Sequence, residues 1–297
     1  MSAEVQTLAG VPAARIATED PTGRRVALAL WHNRRTRAGL LIVALVILAA
    51  LLAPVIGRYD PEEGDYDHIL ARPTAAHPFG TDNFGRDVLT RVLFGYRVSI
   101  VVAIASVAIA VVAGLPLGLL AGYFGGMIDN LIMRPLDLLM AFPAILLAIA
   151  LITVFGTGTG VVVAALALIY VPIMARVLRG SVIAVRGEEY IDAARAMGGT
   201  PPRVMLRHVL PNSLGSLVVQ GSISMGIAIL IEAALSFIGL GTQPPDPSLG
   251  SMLFEGRDFM QEAPWAVTFP GLAIMIAVLG FNLLGDGLRD VVGGERG

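Results

Sequence analysis

Six stretches of this chain are apolar for roughly 20 residues or more, the length a helix needs to cross the hydrocarbon core of a bilayer. They run from Ala38 to Ile56, Val98 to Gly122, Ile128 to Phe155, Gly160 to Val177, Leu214 to Ile238 and Trp265 to Leu284. In lipid the polar backbone groups must be satisfied within the protein, and a helix does this within each segment. The expectation is therefore an all-α, polytopic membrane bundle of six transmembrane helices. Composition agrees. The chain is 55% hydrophobic and only 15% charged, where a soluble domain carries about 25% charged residues.

Several functions are excluded at once. There is no cysteine, so disulfides, thiolate zinc sites and cysteine nucleophiles do not arise. There is no lysine either, all 21 basic residues being arginine. A phosphate loop of the GxxxxGK[ST] type needs its lysine, so this chain holds no ATP site of that kind. A net charge of −2 gives no reason to expect nucleic acid. His32, His68, His77 and His208 lie in separate segments with no ligand spacing, so no metal site is expected.

Arginine counts orient the chain, because short cytoplasmic segments carry the excess. Arg15, Arg24, Arg25, Arg34, Arg35 and Arg37 precede the first span, and Arg176, Arg179, Arg186, Arg195, Arg203 and Arg207 join the fourth to the fifth. The loops after the first and fifth spans are instead net acidic. Both termini and the segment after span four are expected in the cytoplasm. Residues 1–37 read as a cytoplasmic tail without a cleavage site, 38–97 as the first span with an extracytoplasmic loop, 98–290 as a five-span core and 291–297 as a second tail.

The segment "YIDAARAMGGTPPRVMLRHVLPN", Tyr190 to Asn212, is polar between two apolar runs. Glu188 and Glu189 open a short helix, Arg195 lies near its end and Gly198-Gly199 stops it, an order suited to the helix dipole and a left-handed cap. Thr200 can cap a second helix starting at Pro201. Pro211 is expected to interrupt it and Asn212 to cap the next span. On the first helix Ala193, Ala194 and Met197 make a small, smooth surface of a kind that fits another protein's groove, although a helix resting on lipid fits the same pattern.

This segment resembles the cytoplasmic signature of ABC importer permeases, E-A-A-x3-G-x9-I-x-L-P. Here it reads Asp192-Ala193-Ala194, three residues, Gly198, nine residues, then His208, Val209, Leu210 and Pro211, with Asp for the leading Glu and His for the apolar position. Two further stretches, "HPFGTDNFGRDVLTRVLFGYRVSI" and "EAALSFIGLGTQPPDPSLGSML", resemble the peptide/nickel branch and its C-type subunit. The resemblance implies a permease subunit of the bacterial plasma membrane and no enzyme. It implies that Glu189, Asp192, Ala193, Ala194, Arg195, Met197, Gly198, Leu210 and Pro211 form the coupling segment that docks on an ATPase. The implied partners are a homologous second permease, one or two cytoplasmic ABC ATPase subunits that hold ATP and Mg2+, an extracytoplasmic substrate-binding protein and membrane lipid. The chain itself would carry no cofactor. Dipeptides, oligopeptides, glutathione-like peptides, nickel chelates and haem remain open as substrates.

Three intramembrane charges are candidates for the translocation path, since such charges pair or line water. Arg134 and Asp137 sit three apart and can pair on one helical face; Glu232 has no local partner. Thr81 or Asp82 is expected to cap a short surface-lying helix, with Arg86, Arg91 and Arg97 near the outer headgroups. A secondary transporter would instead show related halves and several midplane ionisable groups, and a membrane-embedded hydrolase a catalytic set at membrane depth. The histidines all lie outside the spans, and Asp137 and Glu232 are single on their helices, which disfavours both.

Overall fold

The structure, a computed structural model, describes residues 33–294. The expectations for Arg15, Arg24, Arg25, His32 and residues 295–297 lie outside the described residues. The described part is helical, with a single isolated bridge between Thr81 and Asp87 and no strand. In order, the helices are α1 (Arg34–Leu51), α2 (Ala53–Ile56), α3 (Val88–Phe124), α4 (Gly126–Met140), α5 (Ala144–Phe155), α6 (Thr159–Arg186), α7 (Glu189–Ala196), α8 (Pro201–Val204), α9 (Leu210–Phe237), α10 (Leu249–Gly256) and α11 (Trp265–Gly294).

Among the described residues four helical stretches are long and apolar enough to cross a membrane, in α3, α6, α8 through α9, and α11. The pair α4 and α5 makes a fifth if its 87° bend is counted within one span. The first expected span falls short in α1 for a physical reason. Arg34, Arg35 and Arg37 open α1, and from Ala38 to Leu51 the helix rises only about 21 Å, against a hydrocarbon core of about 30 Å. The expected span from Ile128 to Phe155 is a bent pair of helices. Pro143 is extended (φ −56°, ψ 129°), and the residue before a proline disfavours helix, so α4 ends at Met140 and α5 restarts at Ala144.

The centre of the bundle is the parallel contact of α3 with α6. Gly114, Gly118 and Gly122 recur every fourth residue and bring the two backbones together. A Cβ at Gly114 would lie 2.9 Å from that of Met174, and one at Gly122 would lie 2.8 Å from the Arg179 carbonyl oxygen. Membrane helices associate through such close van der Waals packing, which accounts for the glycines of "GLPLGLLAGYFGG". Leu166, Met174, Leu178, Ile229 and Leu235 are fully enclosed around this contact. On the far side α11 packs antiparallel to α9 and to α1, close at Gly226, Gly285, Gly39 and Gly287.

At the acidic end a loop, residues 57–87, folds back on the bundle. The surface-lying helix expected there is the first part of α3, a 37-residue helix whose N-cap is Asp87, not Thr81 or Asp82. Asp87 accepts from the Thr90 amide at 2.8 Å and contacts His77 Nδ1 at 3.0 Å, while Tyr59 stacks on the His77 ring. Arg86 and Arg91 turn into the protein. Arg91 is 1% exposed; it donates to the Pro61 carbonyl at 2.9 Å and, with Arg86, to Glu255 of α10. Arg86 also pairs with Asp82 at 2.7 Å. Buried charges persist only when neutralised and hydrogen-bonded, and two acids facing two arginines meet that condition. Arg97 is exposed.

Candidate functional site

The candidate site is the segment between α6 and α9, at the arginine-rich end. α7 is eight residues long, with Glu188 as N-cap, Glu189 and Asp192 in its first turn and Arg195 in its last. These charges oppose the helix dipole at both ends. Arg195 donates to Asp192 at 3.1 Å, an exposed pair that contributes little. The helix is closed by backbone geometry. The Gly198 amide donates to Arg195 at 2.9 Å and the Gly199 amide to Ala194 at 3.1 Å, the paired bonds of a Schellman motif. Gly198 takes the required left-handed value, φ +84°.

Two faces of α7 now separate. Ile191 and Ala194 are buried and join Val204, Met205 and Val209 in the core of the bundle. Ala193, Met197 and Gly198 face outward, Met197 being 82% exposed. The expected smooth surface therefore loses Ala194, which anchors the helix to its own chain, and keeps Ala193 and Met197, one turn apart. Arg195 leans over the Tyr123 ring at 5.9 Å. From Arg186 of α6, Nη1 donates to the Tyr123 carbonyl at 2.6 Å.

The second half differs from expectation. Thr200 occupies the N-cap of α8, but its side chain makes no capping bond. Pro211 does not interrupt the helix: the stretch from Pro201 to Phe237 continues into the bundle. A proline removes one amide donor and crowds the carbonyl four residues back; the π turn Met205–Val209 widens the helix just before it and absorbs both effects. Asn212 Nδ2 donates back to the His208 carbonyl at 2.6 Å, so it braces this turn where a cap was expected. Leu210 is half-buried against the core and Pro211 is exposed.

The three intramembrane charges are not brought to this segment. Asp137 pairs with Arg176 of α6 and not with Arg134 of its own helix. Arg134 is exposed and has no ion pair among the described residues. A second cross-helix pair, Asp129 with Arg179, was not foreseen from the sequence; the available signal was acids on one span facing arginines on the next. A cavity of about 300 Å³ lies between these groups. Glu232 is fully enclosed, and its two oxygens accept from Ser99 and Ser236 at 2.8 Å each. Its partners are two serines, not an arginine.

Comparison with known proteins decides the family. Residues 114–294 match the family described as binding-protein-dependent transport system inner membrane component. The chain belongs to that family. Residues 22–73 also match the N-terminal TM domain of oligopeptide transport permease C, so the C-type resemblance holds. The dipeptide transport system permease protein DppC of Alkalihalophilus pseudofirmus is 46% identical, over 89% of this chain and 86% of its own length. The glutathione transport system permease protein GsiD of Pectobacterium atrosepticum is 46% identical, over 85% of this chain and 84% of its own. In fold, this permease resembles a chain of the inward-facing MetNI methionine ABC transporter, with a TM-score of 0.56, 20% identity, 68% of this chain covered and 96% of the other.

Proposed function

We propose that this permease forms one half of the membrane pathway of an ATP-driven importer for short peptides or a chemically related solute. In this reading α7 is the element on which a separate ATPase subunit docks. The observation that carries it is the pair Ala193 and Met197. They stand outward, one turn apart, on a helix whose opposite face is sealed into the bundle by Ile191 and Ala194. A helix in a groove is anchored by residues at this spacing, and enclosing one methionine side chain contributes about 1.5–3 kcal/mol. Glu189, Asp192 and Arg195 rim that face, while Leu210 and Pro211 hold the π turn behind it.

The positive-inside rule puts the arginine-rich end, with α7 and both termini, in the cytoplasm. α1 with α2 then makes the first span and the bent α4–α5 pair the third, six in all, with residues 98–290 as the core. A homologous permease completes the pathway, one or two ATPase subunits hold ATP and Mg2+, and an extracytoplasmic binding protein delivers substrate to the acidic end. Closure of the ATPases moves α7 and rocks the helices fixed to it, so that access alternates between the two sides of the plasma membrane. The dipeptide and glutathione permeases support a peptide as the cargo.

Two results are expected. Single cysteines in this cysteine-free chain should react with an impermeant thiol reagent only from the cytoplasm at Thr200 and only from outside at Asp65; labelling Thr200 from outside overturns the orientation. Tagged protein purified in mild detergent should bring an ATP-hydrolysing subunit with it. Full substrate uptake by the chain reconstituted alone would contradict the proposal.

A further inference from the structure

Beyond the docking of α7, one element is mounted to move. α4 has 15 residues and hangs between two breaks. At its start Gly125 and Gly126 both take left-handed values, φ +68° and +55°, and a side chain on Gly126 would meet nothing within 4 Å. At its end the chain turns by 87° into α5. Its apolar attachment is a small cluster set apart from the main core: Met133 and Leu136 pack with Ala121 and Ala175, with partly buried apolar neighbours at the edge. What ties it to α6 is polar. Asp129 accepts from Arg179 Nε and Nη2, and Asp137 binds Arg176.

We propose that α4 is a hinged gate, latched to α6 by these two ion pairs and released through Tyr123. This rests on the function proposed above. Tyr123 lies in the last turn of α3, two residues before the glycine hinge, and it is held twice, from the end of α6 and from α7. Arg186 donates to its carbonyl and Arg195 lies over its ring. A displacement of α7 therefore bears on Tyr123 through Arg195, and Tyr123 carries it to Gly125 and Gly126. The latch is suited to repeated opening. Asp137 and Arg176 are about half exposed, at 54% and 50%, and Asp129 and Arg179 less so, at 18% and 33%; the cavity beside them holds both signs of charge, with Asn130 and Arg134. Partly solvated pairs hold weakly, and water can replace each partner when the pair parts; an enclosed pair would stay shut. Coupling of this kind needs an element with two discrete positions, and two breaks enclosing a lightly packed helix provide one.

The test uses the assembled complex. Asp129→Cys with Arg179→Cys, bridged by a short, reducible bifunctional thiol reagent, ties α4 to α6. Uptake should fall at least tenfold on bridging and return on reduction, with the ATPase subunit still bound throughout. Uptake at the unbridged rate overturns the latch and leaves the docking proposal intact, whereas loss of the ATPase from the unbridged parent chain counts against the docking proposal itself. The charge variants supply a second reading. Asp129→Asn should raise ATP hydrolysis without substrate severalfold, and exchanging the charges, Asp129→Arg with Arg179→Asp, should lower it again. Unchanged basal hydrolysis in Asp129→Asn contradicts the latch.

Discussion

Replacing Ala193 with tryptophan should abolish transport while the protein still folds and inserts. Ala193 faces away from its own chain, so the added ring meets nothing within the permease. It would meet the wall of a groove fitted to a methyl group, and overpacking costs about 1–3 kcal/mol or more, a tenfold to hundredfold weakening of docking. Gly198→Asp should act in the same way. The left-handed backbone there penalises a side chain by about 1 kcal/mol, yet open space surrounds the site, so the carboxylate projects beside Met197 and not into the bundle. Ala194→Trp should behave differently. Ala194 is buried against the core, and that variant should be lost from the membrane. Arg195→Gln should weaken docking least, because its ion pair with Asp192 is exposed. Substrate-stimulated ATP hydrolysis, uptake and membrane abundance, measured together, separate these outcomes; normal stimulation in Ala193→Trp would contradict the assignment.

Gly118→Leu should prevent a stable bundle from forming. A Cβ at Gly118 would fall on the Ala175 carbonyl oxygen and 3.0 Å from the Leu178 Cβ. Those atoms belong to the backbone and the stem of a neighbouring helix, so relief requires α3 and α6 to separate along the line of Gly114, Gly118 and Gly122. The loss is of van der Waals contact, the main attraction between helices in lipid, and it lies where the core is most enclosed. Gly180→Leu on α6 is the control, since its added side chain meets nothing within 4 Å. Membrane abundance and thermal unfolding in detergent should collapse for the first and hold for the second. Equal behaviour of the two would show that the close approach is not what holds the bundle.

The features that were legible from sequence are local ones. The ends of α7, its Gly198 cap and its dipole-matched charges follow from neighbours within one turn, and the structure has all of them. Spacing alone also paired Ala193 with Met197. What could not be read depends on where the next helix lies. Ala194 differs from Ala193 only in direction, and the core beneath it decides that it is buried. Arg91 looked like an interfacial arginine because its partner, Glu255, is 164 residues away. Asp137 has Arg134 within reach on its own helix, yet α6 brings Arg176 closer. Pro211 reads as a break by any local rule, and only the π turn ahead of it lets the helix continue. The bend at Pro143 has a local signal in its proline, but its 87° angle depends on how α5 packs.

The central claim is that the outward face of α7 is covered by an ATPase subunit. Photo-crosslinking from position 193, in an assembled complex that still transports, tests it most directly. The account predicts an adduct to the ATPase from position 193, and little or none from position 180, which is exposed on α6. A transporting complex that yields no ATPase adduct from position 193 or from position 195 would contradict it.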